Sequence, residues 1–201
     1  MNNINTKSYW EKRFKANDWY NNGGNIQSYE HAKHFACHLP ISKKIDGIIC
    51  DVGCATGDAI PVYHALWPNA KLIGVDFSEN AIELAKRKYN DIAKFYALDF
   101  EEVPESDIII VSHVFEHVEK DNDTLCILKK KCSQLFIVVP YKESPLHKEH
   151  LRCYTKKSYC EYNPKSVIIC NDEGMVKNVI KKFLNLTQRK QIIFEFKGQK
   201  Q

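Results

Sequence analysis

The segment Ile48-Ile49-Cys50-Asp51-Val52-Gly53-Cys54-Ala55-Thr56-Gly57-Asp58 runs from an apolar stretch straight into a loop with two glycines. Glycines at such a turn let the backbone bend sharply and let a ligand approach the main chain, beside a helix N-terminus whose free N–H groups attract polar atoms. An acid ends the next apolar stretch: Asp76, in Ile73-Gly74-Val75-Asp76-Phe77-Ser78, lies 19 residues beyond Gly57. A carboxylate there can accept hydrogen bonds from both hydroxyls of a ribose. A third acid, Asp99, follows Tyr96-Ala97-Leu98 and could bond the exocyclic amine of an adenine, with Phe77 and Phe100 against the two faces of the ring. Acids after three consecutive strand candidates are a far more specific signal than any one of them.

A second set of reactive side chains follows. Ser112-His113-Val114-Phe115-Glu116-His117 comes directly after an apolar run. An imidazole titrates near about 6.5, which makes His113 a candidate base for a hydroxyl, amine or acidic group. Tyr141 follows Val138-Val139-Pro140, and His147-x-x-His150-x-Arg152 lies in the loop beyond, supplying donors for hydroxyl or phosphate groups. His113, Glu116, His117 and a distant histidine such as His150 are also types that ligate a divalent metal. The expectation here is a site without metal, in which alignment and His113 suffice.

Asp51-x-Gly53-x-x-x-Gly57, Val75-Asp76-Phe77-Ser78, Leu98-Asp99 and Ser112-His113-Val114-Phe115-Glu116-His117 together resemble the class I S-adenosylmethionine-dependent methyltransferases. The resemblance spans roughly residues 45–140. It implies a Rossmann-like α/β fold and S-adenosylmethionine as cofactor, with Asp51 and the Gly53 to Gly57 loop, Cys54 included, around the methionine part. It further implies that Asp76 holds the ribose, that Asp99 reads the adenine between Phe77 and Phe100, and that the main chain near Ser112 faces the methionine ammonium. His113, His150 and Tyr141 are then the catalytic candidates. Many members carry a further glycine where this chain has Ala55. That same alanine argues against the G-x-G-x-x-G fingerprint of a nicotinamide-dependent dehydrogenase. The stretch from Pro140 through the His-bearing loop is similar to methyltransferases of sugar and surface-polysaccharide biosynthesis. The implied acceptor is a small, anionic, phosphorylated or nucleotide-linked sugar, methylated on oxygen or nitrogen. A protein or peptide N-methyltransferase, or a non-catalytic subunit of the same fold, is the alternative.

These residues need a scaffold, and the pattern around them supplies one. Strands are expected at Ile48 to Val52, Lys71 to Asp76, Lys94 to Leu98, Asp107 to Ser112, Leu135 to Pro140, Val167 to Cys170 and Gln191 to Phe196. Helical spacing alternates with them: Ile60, Tyr63 and Trp67 share one face, as do Ile82, Ala85 and Tyr89 behind an N-cap at Ser78. Asp121 or Asp123 is expected to cap a helix that buries Leu125, Leu128 and Cys132, and Gly174 to Leu186 reads as a further helix. Tyr29 to Leu39 looks helical and follows a turn at Asn21 to Gly24. The alternation predicts a seven-stranded, mostly parallel sheet with helices on both faces in a single domain. Residues 1–46 are expected as an N-terminal helical lid and 47–201 as the cofactor-binding core.

The 201 residues, 44% hydrophobic and 27% charged, suit one soluble core. No apolar run is long enough to span a membrane, and the polar start, MNNINTKSYWEKRF, has no secretory character, so a cytoplasmic location is the default expectation. A net charge of +4, with lysines scattered, gives no basic stripe for nucleic acid. The eight cysteines show no C-x-x-C pair and read as free thiols.

Overall fold

The computed structural model describes residues 4–172 and 189–200. The expected helix at Gly174 to Leu186 lies outside the described residues. Seven strands form one sheet: β1 (Ile48–Val52), β2 (Lys71–Asp76), β3 (Ala93–Ala97), β4 (Ser106–Ser112), β5 (Cys132–Pro140), β6 (Ser166–Asn171) and β7 (Lys190–Lys197). Their spatial order is β3-β2-β1-β4-β5-β7-β6. The first five strands are mutually parallel, whereas β7 inserts antiparallel between β5 and β6. The Rossmann-like, mostly parallel sheet read from the sequence is therefore the observed one.

Alternation along the central strands builds two cores. Ile49, Ile108, Ile110, Phe136 and Val138 face one layer, and Cys50, Val52, Ile109, Val111, Leu135, Ile137 and Val139 face the other. Both faces are apolar because helices cover both, as parallel strands require. Among the described residues the α-helices are α1 (Lys7–Lys15), α2 (Asp18–Asn21), α3 (Gly24–Phe35), α4 (Ile60–Leu66), α5 (Glu79–Tyr89) and α6 (Asp121–Lys130). Ile60, Tyr63 and Trp67 are buried together in the first layer, as their spacing predicts. Ser78 caps α5, its hydroxyl accepting from the Ala81 N–H. The early helix begins at Gly24, directly after the turn, rather than at Tyr29.

Two expectations around α6 are corrected. Its N-cap is Lys120, with no side-chain cap bond, and neither Asp121 nor Asp123 plays that part. Asp121 instead accepts bonds from the Tyr154 and Tyr159 hydroxyls and pairs with Arg152, a buried use that forward reading of a cap motif does not reveal. Cys132 opens β5 rather than ending α6, although its thiol still donates back to the Leu128 carbonyl.

Among the described residues, no helix is long and apolar enough to cross a membrane. All eight cysteines are free thiols, and Cys50, Cys54, Cys132 and Cys170 are buried as small hydrophobes.

Candidate active site

The C-terminal ends of β1, β2 and β4 open into a cleft of about 1470 Å³. A pocket for one drug-sized ligand spans roughly 300–1,000 Å³, so this cleft has room for two reactants. One half is built on the loop after β1. Gly53 and Cys54 both donate to the Val75 carbonyl, folding the loop across the end of β2. Gly53, Ala55 and Gly57 adopt φ of 78°, 47° and 76°. Ala55 thus keeps the left-handed conformation of the glycine it replaces. It offsets that cost by packing with Phe14 and Ala81.

Asp76 orders this half. Its two carboxylate oxygens accept from the Ala55 and Ser78 main-chain N–H groups, each at 2.9 Å. Burial pushes its pKa up to about 6, against the pull of those two amides. Gly53, Asp76, Phe77, Asp99, Phe100 and Ser112 all line the cleft. Asp51, Cys54 and Gly57 do not. Asp51 is sealed beneath the loop, and burial, with the charge of Asp76 second, raises it to about 7. Cys54 faces inward, where a Cβ on Gly74 would touch its sulfur, and Gly57 gives room to Phe95 and Tyr89. The bare backbone at Gly53, the acid at the end of β2 and the half-buried pair Phe77 and Phe100 fit the methionine, ribose and adenine parts of S-adenosylmethionine.

The other half surrounds the turn after β4. His113 has φ of 54° and its N–H is anchored on the Val138 carbonyl. Its ring stacks on His31 of α3 with centroids 3.8 Å apart. Its Nδ1 lies 3.2 Å from Glu116 Oε1, and its Nε2 lies 3.0 Å from Gln191 Oε1. Burial works to lower its pKa, but Glu116 and Asp172 carry it up to about 8. The pull of Glu116 favours the protonated ring, and both ring nitrogens have partners within the fold.

Tyr141, His147 and His150 reach the same wall. The loop that carries the two histidines is tied down at both ends: Lys142 donates to the Tyr154 carbonyl, and Leu151 donates to the Glu116 carbonyl. Arg152 is the clamp. It bonds the Val118 and Glu119 carbonyls and pairs with Asp121 at 2.6 Å, so it faces away from the cleft and supplies no donor to a ligand.

Residues 1–46, expected as a lid, make contacts that the sequence had not assigned to particular residues. Glu11 of α1 accepts from the Glu79 and Asn80 main-chain N–H groups at the start of α5. Arg13 bonds both oxygens of Glu149, at 3.0 and 3.1 Å, and its Nε bonds Asp18 at 2.7 Å. The Tyr9 hydroxyl also donates to Glu149. His31 falls one turn before Phe35 on the buried face of α3, a place where helical spacing predicts only an ordinary core position.

Comparison with known proteins agrees with this geometry. The family described as "Methyltransferase domain" matches residues 43–194. Demethylmenaquinone methyltransferase of Lactococcus lactis is 45% identical over 47 residues, which is 23% of this chain and 19% of that enzyme. A Haloferax volcanii methyltransferase, solved with a methyltransferase activator, superposes with a TM-score of 0.70 at 13% identity, covering 92% of this chain and 96% of that one. The plantazolicin methyltransferase, solved with S-adenosylhomocysteine, gives 0.63 at 16% identity over 96% of each chain. Coclaurine N-methyltransferase gives 0.59 at 11% identity, over 81% of this chain and 70% of its own. The low identities speak to the fold; the family match and the two-part cleft carry the assignment, and the chain belongs to the methyltransferase-domain family as an S-adenosylmethionine-dependent enzyme of class I fold.

Proposed function

We propose that the enzyme methylates a nitrogen of a small molecule or peptide, bound between His113, Tyr141 and His150. The carrying observation is the carboxylate of Glu116, buried in the cleft wall beside the turn after β4 with no guanidinium paired to it. Arg13 and Arg152 are each committed to acids, and the other cations of the lining are Lys142, Lys148, Arg189 and Lys190. An anionic sugar phosphate would have met Arg152 there; with Arg152 turned away, an amine suits this wall better. The name of one of the similar structures, a coclaurine N-methyltransferase, leans the same way.

The donor supplies a methyl on a positively charged sulfur, already activated for displacement, so the protein contributes chiefly alignment and exclusion of water. Asp51, Gly53, Cys54, Gly57, Asp76, Phe77, Asp99, Phe100 and Ser112 form the donor half, with Asp51, Cys54 and Gly57 acting as its floor. His113, whose two ring nitrogens face Glu116 and Gln191 and whose ring stacks on His31, shapes the acceptor wall. In this reading α1 to α3 are a lid, latched by Arg13 on Glu149.

Mass spectrometry of mixed amine, peptide and hydroxyl acceptors incubated with enzyme and donor tests the acceptor class. A gain of 14 mass units on nitrogen is expected; transfer confined to sugar hydroxyls overturns the nitrogen reading. The latch has its own test. Arg13→Ala removes charge-assisted bonds worth roughly 1.5–3 kcal/mol, so amide exchange across α1 should accelerate about ten- to hundredfold. Exchange in β1 and β4 should stay unchanged. Unaltered protection of α1 would mean that Trp10 and Phe14 hold it without the latch.

A further inference from the structure

We propose that Glu116, His117 and His150 hold a divalent transition-metal ion at the acceptor end of the cleft. One ligand atom from each of the three lies within 4.8 Å of the others. Metal bonds of about 2.0–2.2 Å put ligand atoms up to about 4.4 Å apart, so closing around an ion needs only small side-chain shifts. Two imidazoles and one carboxylate are a donor set for zinc, iron or cobalt that leaves positions open for other ligands.

The hydrogen bonds around both rings are those of metal-ligating histidines. His117 Nδ1 lies 3.1 Å from the Glu149 main-chain carbonyl, which can only accept. The proton is therefore on Nδ1, and Nε2 offers a lone pair. His150 Nδ1 lies 2.5 Å from Glu143 Oε2, which fixes the same tautomer. Outer partners of this kind orient a histidine and raise its basicity toward a metal. The rings stand at 79° with centroids 4.9 Å apart.

Glu116 supplies the independent observation. It is 1% exposed, lines the cleft, and its Oε2 makes no hydrogen bond. His113 Nδ1 approaches Oε1 but leaves Oε2 with no partner. A buried carboxylate in that condition is costly unless a cation completes it. The neighbouring group of His31, His113 and Asp172 is a weaker candidate, because both nitrogens of His113 already face Glu116 and Gln191. An ion held by the first group would take an oxygen of the acceptor beside the reacting nitrogen.

Cobalt(II) titration of the chelator-treated full chain, followed by visible absorption and calorimetry, tests the site without recourse to activity. One equivalent should bind, with ligand-field bands and no thiolate charge-transfer band. His117→Ala and His150→Ala should each weaken binding by about 100-fold or more, and Glu143→Gln by about 10-fold through loss of the charge that strengthens the outer bond. The exposed His38→Ala should bind as the parent does. Circular dichroism checks that each variant folds, and Glu143→Gln keeps the test decisive if a ligand variant does not. No stoichiometric binding, equal affinity in all variants, or a thiolate band would overturn the proposal. S-adenosylhomocysteine binding is measured in parallel. Its retention without cobalt binding overturns the metal alone, whereas cobalt binding without it leaves the metal site standing and counts against the donor half.

Discussion

Gly53→Ala is expected to lose both stability and cofactor binding. Gly53 sits at φ of +78°, where an L side chain is strained, and a Cβ there would lie 2.2 Å from Val114 Cγ2. Val114 is short and β-branched and directly follows His113, so it cannot yield without moving the turn after β4. Strain and overpacking together should cost ~2–5 kcal/mol. The thermal midpoint should fall by roughly 5–15 °C. Calorimetry should find no cofactor binding at concentrations that saturate the parent, because the loop after β1 and the turn after β4 touch at this residue. A variant with parent affinity would show that the donor does not approach the Gly53 backbone.

Asp76→Ala should weaken binding of the donor or its demethylated product by roughly 1.5–3 kcal/mol, about ten- to hundredfold, through loss of charge-assisted bonds to the ribose. The Ala55 and Ser78 amides also lose their acceptor. Asp76→Asn removes the charge but keeps an acceptor for one of the two amides, so its loss of affinity measures the charge more closely than that of Asp76→Ala. The parent should show a matching pH dependence. With Asp76 raised by burial to about 6, donor affinity should climb as pH rises through that value and level off above it. Asp76→Asn should flatten the profile. The fold responds with the opposite sign. Folded Asp76 and Asp51 keep protons that an unfolded chain releases near pH ~4, so their contribution to stability is full in acid. It is lost as pH rises through about 6 and then about 7. Titration calorimetry from pH 5 to 8 checks the first effect, and denaturant midpoints in the absence of ligand check the second.

The sheet was legible because its signals are local. Alternation at Ile108, Ile109, Ile110 and Val111 announces a strand covered on both faces, and β1 and β2 fall where their apolar runs do. The placing of Gly53, Asp76, Asp99 and Ser112 at the cleft was legible for the same reason, since a strand and the loop after it are contiguous in sequence. The acceptor half was not. Glu149 meets Tyr9 and Arg13 across more than a hundred residues, and His31 reaches His113 from a helix with no motif. Arg152 shows the opposite failure. Its type and neighbourhood suggested a phosphate ligand, but a buried acid with no local signature, Asp121, had the stronger claim on it.

The position of β7 bears on how the enzyme is made. Among the described residues β6 pairs with no strand except β7, and β7 also contributes the Gln191 that bonds His113. While the ribosome is still adding residues, β6 has emerged but has nothing to pair with, and the outer edge of β5 stays open. The nascent chain can complete its donor half early, yet the acceptor wall waits for the strand synthesised last of the seven. Methylation should therefore begin only after β7 has emerged, and a stall before residue 190 should yield a product that can hold the donor and transfer nothing.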